Sequence, residues 1–321
     1  MSFRFSGLRK LGVTLVVLVA VGIGGAAVHT WFGTRSAEQQ FSAQGEFVEV
    51  STGSLHYTDV GSGQAVVLLH GASSNLREFE SGLQPLFAAQ HRVLSFDRPG
   101  YGYSDRDLSN WPSPKDQAQA IHEALRAIGV ERPVLVGHSW SGSVVLAYAL
   151  AYPHNTRAVV SLAGATHPWK GDVAWHVALA QQAVVGDVFA HTLVWPIGQL
   201  IAPNLVDFVF WPEAPPANYA TNSGMPLATR PRAFRSSSQD VARLSEYLQG
   251  QSPQYGQISV PVLLFTGTHD HVVPAWNHAT RVKHQLPQAE LKLFEGAGHA
   301  LHYTRAAEIV TTVAEFLTRH P

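Results

Sequence analysis

The sequence predicts an α/β protein in which strands and helices alternate around one mostly parallel sheet of eight strands flanked by helices. Two observations predict it. Short apolar, β-branched runs alternate with helical segments along the chain, which is typical of a parallel sheet covered by helices. Polar residues lie a few positions after three of these runs, where open α/β sheets place functional groups. A chain of 321 residues can bury one large core of this kind.

The predicted elements follow the chain in order. An opening hairpin has strands over 47–50 and 54–59, around Thr52-Gly53. The remaining predicted strands cover 66–69, 92–96, 133–136, 158–162, 262–265 and 291–294. The predicted helices cover 79–89, 114–128, 144–151, 276–285 and 306–319. Ser113 is the expected cap of the second helix, and Gly129 is its expected end.

Ser139 lies between the apolar run that ends at Val136 and a helix start rich in small residues. A serine in this position sits on a sharp turn with its hydroxyl exposed. The N–H of Trp140, at the helix N-terminus, is expected to point toward a developing negative charge. The pattern departs from G-x-S-x-G, because Ser141 holds the last position and Gly142 comes one residue later. The alternative interpretation is that Ser139 only caps the helix.

Asp270 and His299 each follow a later predicted strand. The order serine, aspartate, histidine is one of the known chain orders of a hydrolytic triad. Such chemistry needs all three residues, because a serine hydroxyl is a weak nucleophile until an imidazole removes its proton. The carboxylate fixes the imidazole tautomer and stabilises the imidazolium that forms.

From about Gly45 to the C-terminus the chain resembles the α/β-hydrolase superfamily, in particular the group with a helical cap inserted late in the sheet. Five motifs in order carry the resemblance: His70-Gly71-Ala72, the segment from Asp97 to Asp105, the turn at Ser139, Gly267-Thr268-His269-Asp270, and Gly296-Ala297-Gly298-His299. The resemblance implies that the N–H of Ala72 is a second oxyanion donor beside that of Trp140. It also implies that Asp97 and Gly100 brace their turn and do not react.

The resulting functional prediction is a serine hydrolase that acts by acyl transfer without a cofactor. Ser139 attacks a carbonyl, His299 acts as base and then as acid, and Asp270 orients His299. We expect an ester of a small or medium apolar acid as substrate. The alternatives are a carbon–carbon bond hydrolase of the meta-cleavage type, a peptidase, an acyltransferase and a non-catalytic ligand-binding protein of this fold. Epoxide hydrolase and haloalkane dehalogenase relatives use an aspartate nucleophile, so Ser139 argues against both.

The segment between 162 and 262 is too long for an ordinary connection and predicts a helical cap over about 166–257. Its aromatic residues form the cap's own core, line an apolar pocket or touch a membrane. They include Trp169, Trp175, Trp195, Trp211, Phe189, Phe208 and Phe210, and the prolines that break the cap are Pro196, Pro203, Pro212, Pro215 and Pro216.

Composition excludes several classes of function. Charged residues make up 14% of the chain and the net charge is −1, so nothing favours nucleic-acid binding. There is no cysteine, which excludes disulfides and thiol catalysis. Histidines cluster over 269–271 and 299–302, but neither cluster has the spacing of a helical zinc motif, and we expect no metal. His138 and His302 are expected to pack or hydrogen-bond near the site.

The N-terminus predicts a membrane segment. The 18 uncharged residues 11–28 span about 27 Å as a helix, close to the ~30 Å of a bilayer's hydrocarbon core. Arg4, Arg9 and Lys10 precede this stretch, which predicts a cytoplasmic N-terminus and a catalytic domain on the outer face. Residues 1–33 are therefore assigned to the membrane segment and 34–44 to a polar tether before the domain at 45–321. The alternative is a signal peptide cleaved near Gly25-Ala26-Ala27, which leads to a secreted protein.

Overall fold

In a computed structural model of the protein, which describes residues 3–321 and side chains from Lys10 onward, one sheet of eight strands organises the chain. The strands lie in the order β1-β2-β4-β3-β5-β6-β7-β8. Strands β1, β2 and β4 pair antiparallel, and every other pair is parallel. The predicted fold class is confirmed. The strand bounds are β1 Glu46–Val50, β2 Gly53–Gly61, β3 Ala65–Leu69, β4 Arg92–Phe96, β5 Val134–His138, β6 Ala158–Leu162, β7 Val262–Gly267 and β8 Glu290–Phe294.

The central strands are buried on both faces because both faces carry helices. Every residue of β3, β5, β6 and β7 is buried, as near-continuous apolar runs in a parallel sheet require. Successive side chains enter different cores: Val67 and Leu69 join one apolar cluster, while Val66 and Leu68 join the other. The sheet is thus a rigid layer between two cores.

The described residues form twelve helices, of which α1 precedes the sheet and the others surround the sheet or form the cap. Their bounds are α1 Phe3–Gln40, α2 Leu83–Ala88, α3 Pro114–Ala127, α4 Ser141–Ala151, α5 Trp175–Ala180, α6 Ala183–Thr192, α7 Val194–Phe210, α8 Tyr219–Asn222, α9 Pro231–Gln251, α10 Ala279–Gln285, α11 Leu301–Thr304 and α12 Ala306–Arg319. Ser113 caps α3 as expected, in a reciprocal arrangement with Asp116. The helix expected over 79–89 is instead a 3₁₀ turn, Leu76–Phe79, followed by α2 after Gly82.

The cap lies between β6 and β7 and consists of α5 to α9 with short 3₁₀ turns. Its longest helix, α9, has polar residues on its inward side, including buried Ser236, Ser237 and Asp240. Helices α6 and α7 lie at an angle of 67° to each other and together are as apolar as a membrane-spanning helix. Large apolar side chains project from them into solvent.

The predicted tether over 34–44 needs correction, because α1 continues without a break to Gln40. Ala37 and Phe41, four residues apart on one helix face, are buried with Trp195 and Leu227 of the cap. Arg230 of the cap also donates to Glu38 at 3.1 Å. Contacts with the cap therefore hold residues 34–40 in a helix, although their polar composition suggested a flexible connection.

The N-terminal part of α1 is long and apolar enough to cross a membrane. Its candidate span is Lys10–Gln40, with a most apolar window of mean hydropathy 2.5 in which no residue is buried. A signal sequence has the same properties. The side chains of Arg4 and Arg9, on which the predicted orientation depends, lie outside the described residues.

Candidate active site

Three side chains that are far apart in the sequence form one hydrogen-bonded row. His299 Nε2 lies 2.9 Å from Ser139 Oγ, and His299 Nδ1 lies 2.8 Å from Asp270 Oδ2. The other carboxylate oxygen of Asp270 accepts the amides of Val272 and Val273 at 2.9 and 2.8 Å. Because an ionised carboxylate only accepts hydrogen bonds, His299 Nδ1 carries the proton and Nε2 is free to accept from Ser139. The row can therefore take a proton from the serine.

The sheet brings these residues together at one edge. Ser139 directly follows β5, while Asp270 and His299 come three and five residues after β7 and β8. Parallel strands end at the same edge, so residues that follow different strands converge there. The amide of Ser139 also bonds to Leu162 O at 2.9 Å, which ties the turn to the end of β6.

The turn at Ser139 is strained, as a nucleophile-bearing turn requires. Ser139 has φ of +53°, a backbone region that non-glycine residues rarely adopt. A Cβ on Gly142 would lie 2.4 Å from the Cα of Gly164, so α4 approaches the end of β6 too closely for a side chain there. Ser141 instead donates its hydroxyl to His70 O. The glycine that comes one residue late in the sequence is thus the residue that allows the close helix packing.

The backbone at Gly71 approaches Ser139, and Trp140 directly follows Ser139 in the chain. A Cβ on Gly71 would lie 3.0 Å from the Cβ of Ser139, so the backbone that leads into Ala72 touches the serine. In the described part of the chain, neither the Ala72 amide nor the Trp140 amide donates a hydrogen bond. A backbone amide without a partner can donate a hydrogen bond to an oxyanion.

The loop at His70 is held by a neutral imidazole. Its Nε2 accepts the amide of Arg98 at 3.0 Å, so its Nδ1 donates to Gly71 O at 2.8 Å. Burial lowers the pKa of His70 to about 4, and the Arg98 guanidinium acts in the same direction. The imidazole therefore keeps one tautomer at neutral pH and fixes the backbone next to Ala72.

Asp97 and its turn are structural elements of the site. Asp97 accepts the amides of Leu76 and Tyr103 at 2.8 and 2.9 Å, and His56 Nδ1 lies 2.7 Å away. Gly100 has φ of +85°, which favours glycine. These contacts join Asp97 to three separate segments, which supports the bracing role that the resemblance implied.

Sequence analysis missed Asp240, which joins the cap to the sheet. This buried carboxylate lies 2.7 Å from both Arg98 and Arg106 and accepts the Tyr101 hydroxyl at 2.9 Å. The indole of Trp140 donates to its backbone oxygen at 3.1 Å. The sequence signal was Arg98, an arginine next to an apolar strand that needs a buried anion, but no spacing rule connects it to α9.

The structure also joins His138 and His302, which sequence analysis placed near the site. Both are buried, with ring centres 4.0 Å apart, and His138 Nε2 lies 3.3 Å from the backbone oxygen of His299. Sequence analysis missed their shared neighbour, Glu78, whose Oε1 lies 2.7 Å from each histidine. The histidine pairs 269–271 and 299–302 gave no indication of this cluster.

Comparison with known proteins identifies the fold family. The alpha/beta hydrolase fold family matches residues 64–306. The 2-hydroxy-6-oxononadienedioate/2-hydroxy-6-oxononatrienedioate hydrolase 1 of Dechloromonas aromatica is 26% identical over 295 residues, which cover 89% of this chain and 99% of that relative.

Two solved structures are similar in architecture. The enol-lactonase from Burkholderia xenovorans has a TM-score of 0.70 at 20% identity and covers 85% of this chain and 100% of its own. A membrane phospholipase A has a TM-score of 0.66 at 21% identity and covers 97% of this chain and 98% of its own. The match over 64–306 includes β3 to β8, the strained turn and all three residues of the hydrogen-bonded row. This chain belongs to the alpha/beta hydrolase fold family.

Proposed function

We propose that this protein is a hydrolase in which Ser139 attacks a carbonyl carbon of a small-molecule substrate. The observation that carries the proposal is the hydrogen-bonded row of Ser139, His299 and Asp270, with contacts of 2.9 and 2.8 Å. His299, which Asp270 orients, raises the nucleophilicity of the serine, because it takes the proton of Ser139 as the new bond forms.

The proposed steps use groups already in place. Ser139 Oγ adds to the carbonyl carbon, its proton moves to His299 Nε2, and the oxyanion accepts the amides of Ala72 and Trp140. The carbonyl reforms as the leaving group departs with the proton from His299. Water, activated by His299, then releases the acyl group from Ser139. Asp270 stabilises the imidazolium in both halves of the reaction.

The first candidate bond is the carbon–carbon bond next to a ketone. It is favoured by the relatives, such as the Dechloromonas aromatica enzyme, whose names describe 6-oxo dienoate substrates. In the keto tautomer of such a compound, which forms when the proton of the 2-hydroxyl moves to C5, the departing C5 is stabilised by the 2-oxo group through the C3=C4 double bond, and protonated His299 supplies the proton that C5 needs. We place this reaction ahead of simple ester hydrolysis.

The second candidate bond is an apolar ester, as the sequence prediction proposed. It is favoured by the exposed apolar face of the cap and by likeness to a membrane phospholipase A over nearly the whole chain, N-terminal helix included. Both reactions begin with the same attack by Ser139, so the bond that breaks depends on what the cap admits.

One paired assay separates the two candidates. The purified full-length chain is given a 2-hydroxy-6-oxo-dienoate, whose visible absorbance disappears on cleavage, and p-nitrophenyl esters of increasing acyl length. We expect kcat/KM to be higher for the dienoate, with both activities lost in Ser139→Ala. Higher kcat/KM on the esters would select the second candidate. Activity on either substrate that survives Ser139→Ala would contradict the common mechanism.

We also propose that α1 anchors the protein, with the domain on the outer face of the membrane. Support comes from the apolar window of α1 and from the cap helices that pack on the end of that helix. Thr30 of α1 donates to the backbone oxygen of Thr192 in α6 at 3.3 Å, so α6 and α7 lie next to the membrane-proximal part of α1. Their exposed apolar face, defined by Val184, Val185, Leu200, Leu205 and Phe208, is then directed at lipid.

The anchor is tested by fractionation. Full-length protein should stay in membranes after carbonate extraction, and protease added from the outer side should digest the domain. Recovery of a soluble form whose N-terminus begins near Val28 would establish a cleaved signal peptide and exclude the anchor.

A further inference from the structure

Glu78 is a buried carboxylate that lacks an arginine or lysine partner among the residues the structure describes. It is 4% exposed, and the titratable side chains at ion-pair distance from it are the equally buried His138 and His302. An ionised carboxylate away from water is costly unless a positive charge compensates it. The cluster therefore needs a proton or a metal ion to compensate this carboxylate, because its permanent charges do not.

The hydrogen bonds of His138 show where that cation belongs. The Nε2 of His138 faces the backbone oxygen of His299 at 3.3 Å, a contact in which this nitrogen must carry the hydrogen. In the neutral ring, Nδ1 then presents a lone pair to Glu78 Oε1, only 2.7 Å away. Two lone pairs at this distance repel each other unless a proton or a metal ion lies between them.

His302 approaches the same carboxylate oxygen of Glu78. His302 Nε2 also lies 2.7 Å from Glu78 Oε1, and the three ligand atoms lie within 4.8 Å of one another. Despite these short distances, neither nitrogen makes a hydrogen bond of acceptable geometry to the carboxylate. Ligands bound ~2.0–2.1 Å from an ion lie about 2.9 Å apart at a right angle and about 3.3 Å apart at a tetrahedral angle, so a bound ion would draw both nitrogens a few tenths of an ångström away from Oε1.

We propose that Glu78 Oε1, His138 Nδ1 and His302 Nε2 bind one divalent transition-metal ion of the Zn²⁺ class. Imidazole nitrogens with one carboxylate oxygen suit such an ion, whereas Mg²⁺ and Ca²⁺ prefer ligand sets made of oxygen. The contact of His138 Nε2 with a backbone oxygen is the outer contact that metal-bound histidines usually make. Ser74 donates to the second oxygen of Glu78 and so leaves Oε1 for the ion.

The ion clamps three segments of the candidate active site. Glu78 lies in the 3₁₀ turn after β3, His138 directly precedes Ser139, and His302 follows His299 by three residues. A bound ion thus holds the Ser139 turn and the His299 loop at a fixed separation. Because the ligands are brought together only in the folded state, the ion stabilises that state by mass action.

The test uses the full-length chain in detergent, purified with a tag that contains no histidine. Elemental analysis should find about one ion of Zn²⁺ per chain after loading and dialysis. Chelation should lower Tm by several degrees and added Zn²⁺ should restore it. Glu78→Gln and His302→Gln should each lose the bound ion and the Zn²⁺-dependent part of Tm. Glu80→Gln, two residues away in a pair with Arg77, is the matched control and should retain both.

Two results would overturn the site. If wild type and Glu78→Gln retain equal Zn²⁺, the ion binds elsewhere, for example at His269 and His271. If wild type retains no ion and its Tm is unchanged by Zn²⁺, a proton occupies the space between Glu78 and His138. Wild-type loading and chelation keep the test decisive if a variant does not fold. All measurements are made without substrate, so they do not depend on the proposed reaction.

Discussion

The edge of the sheet at which the parallel strands end and the outer face of the cap differ in polarity and in burial. At the sheet edge, polar side chains such as Ser139, His299 and Asp270 are buried or half-buried and each has a defined partner. On α6 and α7, Val184 and Leu200 are 74% and 78% exposed. At the sheet edge, the side chains are held at hydrogen-bonding distance from one another, as the breaking of a covalent bond requires. The cap face has apolar area that the fold does not use, which suits contact with lipid or an apolar ligand.

The joint between the two regions is a buried network of charges. Asp240 of α9 lies between Arg98, which follows β4, and Arg106. Burial raises the pKa of Asp240, but Arg106 and Arg98 more than offset it and hold the pKa below its ordinary value. Substitutions at the sheet edge, in this charge network and on the cap face should therefore affect different properties of the protein.

The largest effect is expected at the nucleophile. Ser139→Ala should lower kcat by about 10⁵-fold, because no other group at the edge replaces the hydroxyl. Tm should change little, since the alanine keeps the backbone contacts of the turn. A variant with near-normal kcat would show that the edge does not carry the reaction.

Asp270→Asn should follow, with a loss in kcat of about 10⁴-fold. The amide can donate to His299 Nδ1, which favours the tautomer that cannot accept from Ser139. Single-turnover kinetics measure the loss. If Asp270→Asn retained normal rates, the acid would have to be another residue.

At the joint, Asp240→Ala should lower the free energy of unfolding by about 3–5 kcal/mol, because two arginines are left without their anion. Denaturant titration measures the loss. Glu246→Ala on the same helix removes an exposed carboxylate paired with Arg243 and should change stability by less than about 1 kcal/mol. Equal losses in the two variants would mean that the network does not hold the cap.

The stabilisation that Asp240 provides should decrease as the pH falls. Its folded pKa is below the ordinary value, so its contribution is complete above the unfolded pKa of about 3.9. The contribution is lost as pH falls through the folded pKa. The stability difference between wild type and Asp240→Ala should therefore be constant from pH 5 to 7 and shrink in acid. A difference that grows in acid would contradict this sign.

The cap face can be probed without background, because the chain has no cysteine. Val184→Cys carrying an environment-sensitive fluorophore should shift to shorter emission wavelengths when the protein is reconstituted in vesicles. Leu293→Cys is the control, since Leu293 is an exposed apolar residue on β8 of the body. An equal shift in emission wavelength at both positions would show that the cap face does not contact the membrane.

The smallest effect is expected at Ser141. Ser141→Ala removes one hydrogen bond to His70 O, which still accepts Arg98 Nε at 3.0 Å. The cost should be about 1 kcal/mol in the free energy of unfolding, with kcat within a few-fold of wild type. Inactivation by this change would place the nucleophile at Ser141 and not at Ser139.

The sequence by itself determined the fold class, all eight strands and the residues that the sheet edge brings together. Apolar runs report that a strand is buried, and the residue after each run must lie at the edge where parallel strands end. For this reason Ser139, Asp270 and His299 could be predicted from three separate segments. Their proposed roles remain predictions until the variants are measured.

Only the tertiary structure decided which partners meet across long separations. The periodicity of a segment shows that one face is buried but not what covers it, so α1 after Thr34 looked like a tether until its contacts with the cap were known. Asp240 and Glu78 are single carboxylates without a local motif, and each meets its partners through packing of distant segments. The charges of these carboxylates contribute strongly to stability only when burial removes water, which happens only in the folded protein.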